Sequence, residues 1–207
     1  YAAGKTSPSV SLIVASHITL CAECRKVVED FENLGGKFLE DSDPVEVNSS
    51  SLESILGKID NIDLDDQFVE PTNKVNSFKY IPSVLSNYLP DTDKLTDKWK
   101  KSIGGIRYFD IDLGDFKQNT HARMLSIPPG RKLPHHGHES QELTLVLEGG
   151  FKDENGSYNA GDVAIEDENN LHTPVSDPSE GCVCLVVYEG KLKFKGLFGP
   201  ILNILNK

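Results

Sequence analysis

Two histidines two residues apart, a glutamate four residues on and a glycine at each end set the tightest limit on how this chain can fold. The run is Gly130-x5-His136-x-His138-x3-Glu142-x6-Gly149. Residues two apart on an extended strand point to the same face, so His136 and His138 share one side. Glu142 has the same parity, while Leu143, Leu145 and Leu147 fall on the other side, where they can pack against apolar groups. A long hairpin through residues 149–161 can bring His172 back beside the first three. Imidazole nitrogens and a carboxylate suit zinc, iron, manganese or nickel. His136, His138, Glu142 and His172 are therefore the expected ligands of one metal ion, with His135 a solvated neighbour and His121 outside the motif.

The flanking sequence supplies strands. Ile106–Leu113, His121–Ile127, Leu143–Leu147, Val163–Ile165 and Cys182–Tyr188 are short and rich in β-forming residues. Turn signals separate them at Pro128-Pro129-Gly130, Glu148-Gly149-Gly150, Asp153-Glu154-Asn155-Gly156 and Ala160-Gly161-Asp162. Short strands with regular turns predict a sandwich or barrel. Leu197–Leu205 is read as a final helix or strand packed on it.

The first 40 residues read differently. Ser7-Pro8 is a helix start, and Leu12, Ile13, Ile18 and Leu20 follow it. A second helix is expected from about Ala22 to Leu34, ended by Gly35-Gly36. Residues 40–50 read as a linker, 51–60 and 81–89 as short helices, the latter stopped by Pro90, and Asn61–Asn76 as irregular. The expected division is a helical unit at 1–45, a linker with short helices at 46–90 and a β-barrel at 91–207.

The helical part carries a second ligand pattern, His17-x3-Cys21-x2-Cys24. His and Cys four apart share one helix face, and Cys24 follows a turn later, so one zinc ion could bridge the two helices. Zinc in a structural site takes four ligands, and this pattern supplies three. Cys182-x-Cys184 lies on an expected strand with both sulfurs on one face; the pair reads either as core thiols or as an oxidation-sensitive pair near the barrel metal.

A formal net charge of -11 argues against binding nucleic acid through its phosphates and is compatible with a basic protein partner. No apolar run approaches the roughly 18 residues of a membrane span. Close cysteine pairs without a disulfide-dense composition point to the cytoplasm. The chain starts at Tyr1 rather than Met, so further residues are expected upstream.

The barrel motif resembles the first motif of the cupin superfamily, and Gly161 with His172 resembles part of the second. This implies a jelly-roll barrel holding a metal by three histidines and a glutamate. The pattern at His17, Cys21 and Cys24 resembles the zinc-binding anti-sigma domain, which also uses a histidine on an earlier helix, here expected upstream of Tyr1. Together the two halves resemble the ChrR family of anti-sigma factors: a mainly β chain, with a small helical zinc-binding domain before a cupin barrel. The resemblance implies a bacterial cytoplasmic regulator, with zinc at both sites. It implies that the helical part binds and inhibits an extracytoplasmic-function sigma factor through apolar faces within residues 8–39, and that stress by singlet oxygen or related oxidants, sensed at the barrel, releases it. The main alternative is a metal-dependent cupin enzyme of the dioxygenase or hydrolase kind whose helices serve homodimerisation; a cupin that binds a small molecule without catalysis is a third.

Overall fold

The strand Cys182–Glu189 (β9) organises the β-part, because both of its faces are covered. Cys182, Cys184, Val186 and Tyr188 join one apolar cluster, whereas Leu185 and Val187 join another. That split follows from the two-residue period of an extended chain. The strand therefore divides a barrel interior from an outer face that helices cover.

The computed structural model describes residues 1–61, 81–89, 98–114, 120–190 and 192–194. Four helices come first: Pro8–Leu20 (α1), Ala22–Glu40 (α2), Ser51–Asp60 (α3) and Ser83–Ser86 (α4). The strands are Lys100–Lys101 (β1), Arg107–Asp110 (β2), Thr120–Ile127 (β3), His136–His138 (β4), Glu142–Lys152 (β5), Ser157–Asn159 (β6), Val163–Glu166 (β7), Val175–Ser176 (β8), then β9 and Leu192–Phe194 (β10). All pairings are antiparallel. The order β1-β2-β3-β9-β5-β6 forms the main sheet, β7 and β8 also pair with β5, and β4 pairs with β10. The expected irregular stretch after Asn61, the stop at Pro90 and the segment Leu197–Leu205 lie outside the described residues.

The first helix is seated on the barrel. The Ser7 hydroxyl accepts from the Val10 amide at its start, as the Ser-Pro signal predicts. Leu12 and Ile13 then pack with Leu85 and Leu89 onto Met124, Leu145, Leu147, Leu185 and Val187. Each of the two helical side chains contributes roughly 2–3 kcal/mol by leaving water. The expected boundary at residue 45 thus runs across a shared core, with α1 on the barrel side of the packing.

Two sequence expectations need correction. The second helix does not end at Gly35-Gly36 but runs on to Glu40. Glycine weakens a helix by about 1 kcal/mol without forbidding it; Pro44, which disfavours helix at the residue before it, supplies the harder limit. Glu148-Gly149-Gly150 is not a turn either, because β5 passes straight through it. The register shifts between Val146 and Glu148, leaving Leu147 as the extra residue of a bulge. The inward set therefore changes from Glu142, Thr144 and Val146 to Gly149 and Phe151, opposite the inward residues of the neighbouring strands. Gly149 takes φ 64°, and a Cβ there would overlap the Gly181 carbonyl oxygen.

Gly149→Ala should lower stability by about 2 kcal/mol or more, from backbone strain plus overlap. Gly161→Ala, at φ +97° with open space around the added carbon, should cost less. Urea unfolding of both variants checks the order.

Candidate metal centre

The strand β4 and the segment around His172 are locked together before any side chain is considered. The His136 amide donates to the His172 carbonyl at 3.1 Å, and the His172 amide donates back to His136 at 3.0 Å. This reciprocal bridge places the two rings side by side, and the parity of β4 adds His138. The three rings are buried, at 6%, 2% and 2% exposure for His136, His138 and His172, which excludes a cluster of solvated surface histidines.

Their ε-nitrogens converge. His172 Nε2 lies 3.2 Å from His136 Nε2 and 3.2 Å from His138 Nε2. The opposite ring nitrogens face acceptors: His136 Nδ1–H donates to the Pro134 carbonyl at 2.8 Å, and His172 Nδ1–H donates to Asp153 Oδ2 at 2.9 Å. Carbonyl and carboxylate oxygens only accept, so His136 and His172 both point bare lone pairs at the centre. Facing lone pairs repel unless a cation lies among them, and three neutral imidazoles are a common transition-metal donor set. The arrangement fits a bound metal ion.

Burial, then the neighbouring His172, pushes His136 down to about 4. Burial, then His136 and His172, pushes His138 down to about 3. Both stay neutral, and thus able to ligate, well below the range of free imidazole.

Glu142 stands beside this trio rather than in it. Its Oε2 is 3.4 Å from His138 Nδ1, and Oε1 accepts from the Thr144 hydroxyl at 3.4 Å. The groups whose donor atoms all come together are His136, His138 and His172, without Glu142. Burial pushes its carboxyl up to about 8.

Two further carboxylates escaped the sequence reading. Asp153 touches the His172 ring, and Glu166 Oε1 lies 3.9 Å from His172 Nδ1. Glu166 is directly opposite Glu142 in the β5–β7 register. A charged residue on the inward parity of β7, two after buried Ala164, was the available signal for Glu166. Asp153 gave none, since an Asp before Asn-Gly reads as an ordinary turn residue.

The second candidate cluster brings His17, Cys21 and Cys24 together as the spacing predicts. Cys21 ends α1 and caps α2, so its sulfur lies at a helix start. The Cys24 backbone N–H and then its thiol hold Cys21 below the usual thiol range, which favours the ligating thiolate. His17 Nδ1–H donates to the Gly161 carbonyl at 3.0 Å, tying this cluster to the β6–β7 turn of the barrel. Cys182 and Cys184 are buried inside the barrel, and the adjacent Cys182 thiol, with burial, pushes Cys184 well above the ordinary range. A raised thiol is a poor nucleophile, which favours a packing role for Cys184.

A family model described as the ChrR cupin-like domain matches residues 89–192. The anti-sigma-E factor ChrR of Cereibacter sphaeroides is 36% identical over 204 residues, 98% of this chain and 91% of that protein. The chain belongs to the ChrR family. A ChrR family fold is also found by structure: a chain in the crystal structure of Rhodobacter sphaeroides SigE in complex with the anti-sigma ChrR has a TM-score of 0.73 at 34% identity, covering 91% of this chain and 93% of that one. An acetylacetone dioxygenase from Acinetobacter johnsonii, at 17% identity and a TM-score of 0.44 over 50% of this chain and 75% of that one, is too distant to bear on activity. The fold is thus cupin-like with N-terminal helices, as the resemblance implied. Among the described residues no helix is long and apolar enough to cross a membrane.

The three shifted groups predict a stability optimum for the metal-free chain. Folded His136 and His138 resist protonation, so stability is lost as pH falls from 6.5 toward 4, while unfolded histidines take up protons. Glu142 acts oppositely: its folded form keeps a proton between 4.5 and 8, so stability falls as pH rises through that window. The unfolding midpoint should therefore peak near pH 6.5, and Glu142→Gln should flatten the alkaline side. Urea titrations from pH 5 to about 8 would show this.

Proposed function

We propose that this chain is an anti-sigma factor that sequesters an extracytoplasmic-function sigma factor with its N-terminal helices and loses its grip when the barrel metal site is altered by singlet oxygen or a related oxidant. Family membership supports the first half, since the relative named above is an anti-sigma factor and its structural counterpart is held in a complex with SigE. The observation that carries it in this chain is an unpartnered apolar surface. Val27, Phe31, Leu34 and Phe38 recur along one face of α2 and are 49–68% exposed. Leu52, Ile55, Leu56 and Ile59 do the same on α3, at 49–66%. Apolar stripes of this size in water mark protein interaction sites.

The surface differs from the one the sequence suggested. Leu12 and Ile13 of α1 are spent on the barrel while Leu20 stays exposed, and α3 extends the exposed stripe beyond residue 45. The sigma-binding region is therefore assigned to α2 and α3. Zinc is the metal proposed for both clusters. In the barrel it would be held by His136, His138 and His172, with the adjacent Glu142 as fourth ligand; at the N-terminus His17, Cys21 and Cys24 would hold it, with a fourth ligand from upstream. Zinc at the second cluster would clamp the α1–α2 corner, a small unit with little core of its own. A chain that sequesters a polymerase sigma subunit would act in the cytoplasm. Similarity to a named anti-sigma factor favours a regulatory centre over a dioxygenase site.

Phe38→Asp and Ile55→Asp should each weaken binding of the cognate sigma factor about tenfold or more while leaving the unfolding midpoint unchanged. His136→Ala with His138→Ala should preserve sigma binding but blunt release by singlet oxygen, read as transcription from a sigma-dependent promoter. Normal binding in both Asp variants, with binding lost in the double His variant, would overturn the assignment.

A further inference from the structure

Two consecutive side chains in the β5–β6 turn reach across to the segment that carries His172, and a third reaches the end of β7. Asp153 Oδ2 accepts from His172 Nδ1–H at 2.9 Å. Glu154 Oε2 accepts from the Thr173 amide at 2.8 Å. Asn155 Nδ2 donates to Glu166 Oε2 at 2.8 Å, at the end of β7. The Asp153 side chain is fully buried at 0% exposure, unusual for a turn aspartate. Its second oxygen is occupied as well, since Oδ1 accepts from the amides of Asn155 at 2.9 Å and Gly156 at 3.1 Å.

We propose that Asp153 is a positioning residue for the barrel metal site, holding His172 as the Nδ1–H tautomer with its Nε2 lone pair aimed at His136 and His138. The inference rests on the reading of the three histidines as a metal site. Neutral imidazole has two tautomers, and the partner of one nitrogen decides which nitrogen is bare. The backbone supports ring placement through the His136–His172 bridge, but it does not choose the tautomer. Asp153 does, because a carboxylate can only accept. The 2.9 Å separation is a hydrogen-bond length, with Asp153 Oδ2 as the acceptor.

The doubly bonded geometry makes one substitution diagnostic. In Asp153→Asn the single remaining oxygen must serve either the two turn amides or the His172 N–H. Whichever it serves, the amide NH2 faces donors on the other side. Asp153→Ser offers a short hydroxyl that meets the turn and presents no N–H to the ring. A role in packing alone ranks the near-isosteric Asn as the milder change. A role in setting polarity ranks it as the more damaging one.

The test uses the full chain with Cys21→Ser and Cys24→Ser, which removes the other candidate site, and zinc alone as the probe. Competition with a chromophoric chelator should show zinc bound by the parent protein. Asp153→Asn should lose about tenfold to a hundredfold in affinity, and Asp153→Ser less. In the zinc-loaded protein the hydrogen-bonded Nδ1–H proton of His172 should be visible by nitrogen-edited NMR, and Asp153→Asn should shift it while leaving that of His136 in place. A parent protein that takes up no zinc would overturn the site reading and this inference together. Zinc bound by the parent, with both variants within twofold of it or with Ser weaker than Asn, would overturn the inference alone.

Discussion

The architecture depends on the two-residue alternation of the paired strands β5 and β9. One parity carries Glu142, Thr144 and Val146 opposite Tyr188, Val186 and Cys184, and this side lines the barrel. The other carries Leu145 and Leu147 with Leu185 and Val187, and this side receives α1. A register slip of one residue would turn the carboxylate of Glu142 toward the helix and the leucines toward the imidazoles. The bulge at Leu147 then lets β5 bend without losing the pattern, because Gly149 can take a positive φ beneath the Gly181 carbonyl.

Within that frame the barrel centre combines groups that are individually costly to bury. Two imidazoles with lowered proton affinity, a carboxyl with raised affinity and a second buried carboxylate share a small space. In an apolar interior each avoids charge where it can, which leaves nitrogen lone pairs rather than imidazolium ions at the convergence point. Such a cluster is tolerable when a cation completes it, and its imidazoles are already neutral when the cation arrives.

The sequence made much of this legible. Histidine spacing on a strand depends on local geometry alone, so His136 and His138 could be placed together, and a hairpin could return His172, although the chain turns at residues 153–156 rather than at Gly149. His17, Cys21 and Cys24 were equally readable, because helical spacing is as local as strand spacing. What escaped depended on long-range packing. Nothing in the pattern of α1 distinguishes a face meant for a partner from one meant for the barrel, since Leu12 and Ile13 are apolar in either case. The end of α2 was misplaced because a glycine pair weakens a helix rather than stopping it. Asp153 was hidden because turn chemistry and the contact with His172 ask for the same residue type.

The two-faced character of β9 has a bearing on how such a chain can vary over time. Surface strands drift at alternate positions, where a side chain meets only water. From Cys182 to Tyr188 each residue meets either the barrel cluster or the helix-covered cluster, so no position in that run is of the permissive kind. A change on one parity is felt by the histidine-bearing interior, and a change on the other by the seat of α1. Among chains that keep this fold, substitutions in β9 should be conservative in volume and should arrive together with changes in Met124, Val146 or Leu12, whereas the exposed Ile165 of β7 is free to wander.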